Sequence, residues 1–414
     1  MIGSVPIEFV LFACVLAGVA IFNRHTLRVA VIGAVAIAAY RIGFSPFPSG
    51  PGLSGFALHL GHEWVTLSNL LLLLLGFALL AKTFEDSEVP AVLPRWLPDD
   101  WKGGFVLLVA VFVVSAFLDN IAAAMIGAAV ARTVFRNRLH VGYLVALVGA
   151  ANGGGAGSVV GDTTTTMMWI AGIAPLDVAE AFLGSGVALA LFGVVASLQQ
   201  QAYSPIEKDE ESGARIDWPR VVIVVFVLLA AIVANIVVNT HFTGLATSIP
   251  FLGLTVWGAI VLSAIWRRPA WSLLPGALRG AVFLLSLVLC ASMMPVDKLP
   301  AASWQTTFGL GALSSVFDNI PLTALAIRQD GFDWGFLAYA VGFGGSMMWF
   351  GSSAGVAVAT MFPKARNASQ WLRQGWHVAL AYVVGFAVML GVIGFHPDPL
   401  QRTAPPGAAH GPSL

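Results

Sequence analysis

The chain has 414 residues, of which 58% are hydrophobic and only 10% charged, with a mean hydropathy of +0.85. A soluble protein of this length needs far more charge to cover its surface, so the composition excludes a soluble globular fold and predicts an all-α polytopic membrane protein. Lys and Arg (21) balance Asp and Glu (21), and this zero formal net charge argues against nucleic acid as a partner.

In chain order, apolar runs predict single spans at 5–22, 27–44 and 64–82. A stretch mixing Pro, Trp and charge, "EVPAVLPRWLPDDW" (88–101), is predicted to lie along the interface. There follow a segment at 103–134 that carries Asp119 and Asn120, a long apolar stretch at 139–171, and a closing span at 178–199. The polar stretch 201–218 is a solvated linker. Spans at 219–239, 251–266 and 280–296 come next, then a second Asp-Asn segment at 303–328 with Asp318 and Asn319, a second long stretch at 334–362, and a span at 373–395. The Pro- and Gly-rich tail, 396–414, is predicted to be disordered. The first apolar segment has no basic stretch ahead of it, and Arg24 and Arg28 follow it, which argues against a cleaved signal peptide. Cys14 and Cys290 both fall in apolar spans and read as packing residues.

The two long stretches would reach about 50 Å and about 44 Å as straight helices, against a hydrocarbon core of about 30 Å. Glycine clusters predict a break in each, at Asn152, Gly153, Gly154 and Gly155 and at Gly344 and Gly345. Each Asp-Asn segment is either a re-entrant hairpin or a full crossing, and positive charge decides between them. With both re-entrant and the N-terminus outside, seventeen of the 21 Lys and Arg lie inside and four outside; with both crossing, nine lie inside and twelve outside. The first arrangement places both termini on the outer side. It also gives two halves of like order and opposite orientation, 1–200 and 219–395, joined by a cytoplasmic linker. Ser115, Asp119 and Asn120 match Ser314, Asp318 and Asn319 at an offset of 199, and Gly154, Gly155 and Gly161 match Gly344, Gly345 and Gly351 at an offset of 190. The predicted fold is therefore an inverted-repeat secondary transporter with two re-entrant hairpins and two broken transmembrane helices.

A carboxylate at the centre of a membrane helix costs roughly 2.5–3.5 kcal/mol. Asp119, Asp162 and Asp318 are all placed at depth with no Lys or Arg beside them, so they are expected to hold protons, metal cations or each in turn. The surrounding oxygens suit a hard cation such as Na⁺ or Li⁺: the amides of Asn120, Asn152 and Asn319, the hydroxyls from Thr163 to Thr166, and those of Ser352 and Ser353. Each Asp also reads as a helix N-cap, and the threonines as back-bonded to their own helix; these roles are compatible with ion binding. His377 reads as interfacial, and His59, His62 and Glu63 as an outer loop. An intramembrane aspartyl protease needs two carboxylates sharing a proton, and the third Asp and the repeat both count against that chemistry.

The stretches "SAFLDN", "NGGGAGSVVGDTTTTMMWI", "SSVFDNIPLTA" and "GFGGSMMWFGSSAGVA" resemble those of NhaD-type sodium/proton antiporters, in the ion transporter superfamily that also holds citrate transporter-like proteins and arsenite permeases. The resemblance spans both halves. It implies an ion pathway through Asp119, Asn120, Asp162, Thr163, Thr164, Asp318, Asn319, Ser352 and Ser353, and no cofactor beyond the transported Na⁺ or Li⁺ and H⁺. It further implies a homodimer among membrane lipid, an elevator-like or rocking movement, and a bacterial inner-membrane location. "DNIAAAM" has alanines where such antiporters often carry threonines, which leaves ion selectivity open; cation-coupled uptake of citrate, which three carboxylates would repel unless neutralised, and arsenite efflux are the alternative activities.

Overall fold

The computed structural model describes residues 6–22, 25–47, 49–207, 215–242, 244 and 248–398. Among these, every regular element is helical, and one isolated β-bridge joins Phe47 and Gly50. The principal helices are α1 (Ile7–Ile21), α2 (Thr26–Phe44), α3 (Gly52–Glu85), α4 (Trp101–Ser115), α5 (Asn120–Val134), α6 (Val141–Ala156), α7 (Thr163–Ile170) and α8 (Ala181–Tyr203). The series continues with α9 (Trp218–His241), α10 (Phe251–Ser263), α11 (Leu274–Ser292), α12 (Trp304–Ser314), α13 (Asn319–Gln329), α14 (Trp334–Leu337), α15 (Ser353–Met361), α16 (Ala368–Gln374) and α17 (Trp376–Val392).

Short polar side chains set many of the starts. Asp100, Asp119, Asp162, Ser303, Asp318, Asp333, Ser352 and Asn367 each accept a hydrogen bond from an N–H in the first turn of the helix that follows. These caps satisfy donors that have no partner inside the helix, a strong requirement where water is absent.

Five of the described helical stretches are long and apolar enough to cross a membrane: Thr26–Phe44, Gly52–Glu85, Pro175–Tyr203, Trp218–Val238 and Trp271–Ser292. A sixth crossing is available to α16 and α17 together, which meet at a 60° bend. On α9, Val222, Val225, Leu229, Val233 and Ile236 are exposed at helical spacing, an apolar stripe suited to hydrocarbon. The chain is thus an all-helical polytopic membrane protein.

The span predicted at 64–82 lies in the C-terminal part of α3, whose 34 residues extend about 51 Å at 1.5 Å per residue. The helix runs on because no proline falls between Pro51 and Pro90. Its first half carries His59, His62 and Glu63, placed by the sequence in a loop. His59 is buried, with Nε2 2.9 Å from the Ser292 hydroxyl, and Glu63 pairs with Arg328 of α13. Further along α3, Asn69 Oδ1 accepts from Gly253 N–H at 3.0 Å, and Trp257 Nε1 donates to Leu72 O at 2.8 Å, fixing α10 to α3.

The core centres on α6, buried along its full length. Phe192, Phe343, Tyr339 and Tyr382 stack in sequence at ring-centroid distances of 5.8, 5.6 and 5.9 Å, tying α8 to α17 through the segment after α14. A second apolar cluster, including Phe12, Ile37, Leu70, Leu287 and Ile320, packs α1, α2, α3 and α11 against α13.

His377, read from the sequence as interfacial, is fully buried within the protein at the start of α17, and neither ring nitrogen makes a well-formed hydrogen bond with a described residue. The bend at Gly375, which packs on Val145, turns this position inward. His396 and Asp398, assigned by the sequence to the tail, are pinned through backbone bonds to Asp333 and Phe332; residues 399–414 lie outside the described residues, as does 208–214 of the linker.

Candidate functional site

Two helix pairs carry the Asp-Asn motifs. The chain leaves α4 at Ser115 and starts α5 at Asn120; it leaves α12 at Ser314 and starts α13 at Asn319. Asp119 (φ −48°, ψ 136°) and Asp318 (φ −52°, ψ 141°) adopt nearly the same conformation. Each carboxylate accepts from the N–H two residues on, Ile121 or Ile320, at 3.1 Å. The preceding serines repeat as well: Ser115 Oγ donates to Ala151 O at 2.5 Å, and Ser314 Oγ to Val341 O at 2.7 Å.

The two long stretches are interrupted, but after the glycine clusters at 153–155 and 344–345 rather than at them. Asn152, Gly153, Gly154 and Gly155 continue α6 to Ala156, and the chain opens only over 157–162. In the second half, α14 widens into π-type turns (Ala338–Phe343), Gly344 and Gly345 stay helical, and the chain opens after Met347. The glycines serve close approach instead. A β-carbon on Gly154 would stand 2.0 Å from Phe112 O, and one on Gly344 2.3 Å from Gly311 O, so each glycine admits the backbone of an Asp-Asn pair's first arm. Asp162 (ψ 147°) and Ser352 (ψ 153°) end the two openings as extended caps of α7 and α15.

Side chains from the two halves meet at these caps. Asn319 Nδ2 donates to Asp162 Oδ2 at 3.1 Å, while Thr164 N–H donates to Asp162 Oδ1 at 3.2 Å. Asn120 Nδ2 donates to Asn152 Oδ1 at 3.1 Å, and Asn152 Nδ2 donates to Ser346 Oγ at 3.0 Å and Ser352 Oγ at 2.9 Å. Ser353 Oγ donates to Asp318 Oδ2 at 3.3 Å. Nothing in the motifs singles out Ser346; the available signal is a hydroxyl directly after the Gly344-Gly345 pair.

The threonines divide. Thr165 and Thr166 back-bond, to Ser158 O and Asp162 O and to Val159 O and Asp162 O respectively. Thr164 Oγ1 is buried beside the Asp162 carboxylate without a well-formed hydrogen bond. Asp162 is 3% exposed and within electrostatic reach of both Asp119 and Asp318. The three carboxylates do not converge on one point: among the described residues, no three His, Cys, Asp or Glu side chains group as a metal site. Asp162 instead meets neutral oxygen-bearing groups.

A cavity of about 980 Å³ lies between α3, α5 and α11. Lys82, Glu85, Asp86 and Glu88 line it at the C-terminal end of α3; Asp119, Asp162 and Thr163 line its depth, and Leu73, Phe77, Met125 and Leu284 are among its walls. Lys82, the cationic side chain in this lining, pairs with Glu85 at 3.1 Å and Asp86 at 3.0 Å. Asp318, Ser352 and Ser353 do not line the cavity.

A lipid-facing shell around a polar centre, with the buried Asp162 carboxylate at a helix break and a cavity leading to it, defines a membrane transport protein. The sequence model of the family described as "Citrate transporter" matches residues 10–344, and the chain belongs to that family. It is also similar to sodium/proton antiporter 1 of Arabidopsis thaliana (29% identical over 341 residues, 72% of this chain and 56% of that protein). Na⁺/H⁺ antiporters NhaD of Vibrio parahaemolyticus (23% over 361 residues; 72% and 84%) and Halomonas elongata (26% over 382 residues; 78% and 75%) are similar as well. The chain spans little more than half of the Arabidopsis relative's length, and most of the two NhaD proteins'.

Proposed function

We propose that the chain exchanges Na⁺ or Li⁺ for H⁺, with proton and cation alternating at intramembrane aspartates. One observation carries the reading: Asp162 is buried at a helix break, reached by the cavity, and its partners are two neutral groups, the Thr164 N–H and the Asn319 amide. A carboxylate so placed keeps lone pairs for a cation and takes a proton when the cation leaves. Asp119, Thr163 and Thr164 stand on the same side and supply further oxygens. Asp318, held by Ser353, is the carboxylate of the opposite half. Exchange follows if the centre crosses loaded with one ion or the other and rarely empty. The names of the NhaD relatives support this choice of ions.

The architecture belongs to the same proposal. Helices α4 and α5 (15 residues each) and α12 and α13 (11 each) reach only about 22 and about 16 Å, short of a bilayer of about 30 Å. That supports re-entrant hairpins, and the paired Ser115 and Ser314 bonds support a repeat, inverted as the charge distribution requires. In this topology the cavity opens inward, to the cytoplasm of a bacterial cell, with the termini outside and a second copy of the chain as neighbour.

The family description favours a second reading, uptake of citrate with cations. A tricarboxylate needs cationic partners, and Lys82, already paired twice, is the cation in the cavity lining. Everted vesicles from cells lacking other antiporters decide between the two. With an imposed pH gradient, Na⁺ or Li⁺ should collapse the gradient promptly, and Asp162→Asn should abolish the response. No response to any cation, together with accumulation of labelled citrate, would overturn the exchange reading.

A further inference from the structure

We propose that Asn152 fills the place of a second cation site, so that each protomer binds a single cation, at Asp162. The inference rests on the cation reading above and concerns how many ions the centre holds.

The offset of 190 that relates the glycines also pairs Asp162 with Ser352, Thr164 with Ala354, and Asn152 with Gly342. The structure gives the members of each pair matching places. Asp162 and Ser352 both end an extended opening and cap the next helix. Gly342 adjoins Asp162, where a β-carbon would stand 3.7 Å from Oδ2, and Asn152 adjoins Ser352 at 2.9 Å. The two halves differ in what occupies that space. Beside Asp162 there is no side chain at position 342, so the Asn319 amide meets the carboxylate directly and the Thr164 hydroxyl is left buried without a well-formed bond. Beside Ser352 the Asn152 amide is inserted: its oxygen takes Asn120, and its NH₂ is directed at both Ser346 and Ser352.

The chemistry of the second place is therefore wrong for a cation. Ser352 brings no charge, Ala354 brings no hydroxyl, and the Asp318 carboxylate of this half is held by the Ile320 N–H and the Ser353 hydroxyl. Each polar group there is already satisfied within the protein, so a cation would have to displace bonds it could not replace. The cavity reaches Asp162 and Thr163 but not Ser352.

The test is equilibrium binding of ²²Na⁺ to the purified full-length protein in detergent. One equivalent per protomer is expected. Thr164→Val should weaken binding by more than ten-fold and Ser352→Ala by less than three-fold. Asn152→Asp, which replaces the NH₂ by the carboxylate that Ser352 lacks, should raise the count to two. Two equivalents in the natural chain, or equal losses in Thr164→Val and Ser352→Ala, would overturn the single-site inference and leave the cation reading intact. A folded Asn152→Asp protein that still binds one equivalent would overturn the role given to Asn152. No binding of Na⁺ or Li⁺ by the natural chain would overturn both.

Discussion

Asp162, buried, and Asp119 and Asp318, half-buried, each spend part of their hydrogen-bonding capacity on a helix start, which is how such a carboxylate is held without a cationic neighbour. Other single residues carry sharper tests of packing. Gly154→Ala puts a β-carbon 2.0 Å from Phe112 O, so it should lower the thermal midpoint and the rate of exchange together. Gly186→Ala, on α8 with nothing within 4 Å, should instead be neutral or stabilise by about 0.5–1 kcal/mol, as a helical Gly-to-Ala change does. His377→Leu removes two buried ring nitrogens that make no well-formed hydrogen bond with a described residue, and a gain of about 1 kcal/mol, read as a higher thermal midpoint, is expected. The motifs made Asp119, Asp162 and Asp318 legible from sequence because a charge in an apolar run is anomalous on its face. The crossing of Asn319 to Asp162 and the insertion of Asn152 were not legible, since both join residues more than 150 positions apart.

At the scale of elements, the sequence indicated which stretches are interrupted but misplaced the interruptions. Glycine permits either unwinding or close backbone approach. Here the close approach of α4 to α6, and of α12 to the segment after α14, used the glycines, and the openings fell later, at the capping residues. Helix α3 was underestimated because hydropathy stops at its first polar residues while the helix does not. That extra length has a consequence. Glu63 in its first half pairs with Arg328 in the last turn of α13, and His59 is bonded to Ser292 of α11. These contacts join α13 and α11 to α3 at the end remote from the Lys82 side of the cavity, and they should hold the cavity open toward that side. In a background lacking Cys14 and Cys290, Met125→Cys on the cavity wall should react with a membrane-impermeant maleimide applied from that side. Adding Glu63→Gln should slow this reaction several-fold, by shifting the population toward the other-facing state. Equal labelling in both proteins would contradict a latch.

At the scale of the whole molecule, a lipid-facing shell surrounds a polar centre to which Asp162 and Asn319 both contribute, and a cavity reaches that centre. If a proton and Na⁺ compete for the same carboxylate, the apparent KM for Na⁺ should rise about ten-fold for each unit of acidification once the carboxylate is protonated. The maximal rate should stay nearly constant when Na⁺ is raised to compensate. A maximal rate that falls with pH at saturating Na⁺ would place the proton elsewhere. The most direct measurement uses the purified chain in liposomes with no other protein: an outwardly directed H⁺ gradient is imposed and ²²Na⁺ uptake is followed. The account predicts uptake above equilibrium that collapses with a protonophore and is absent in Asp162→Asn. Uptake that ignores the H⁺ gradient, or that survives Asp162→Asn, would contradict it.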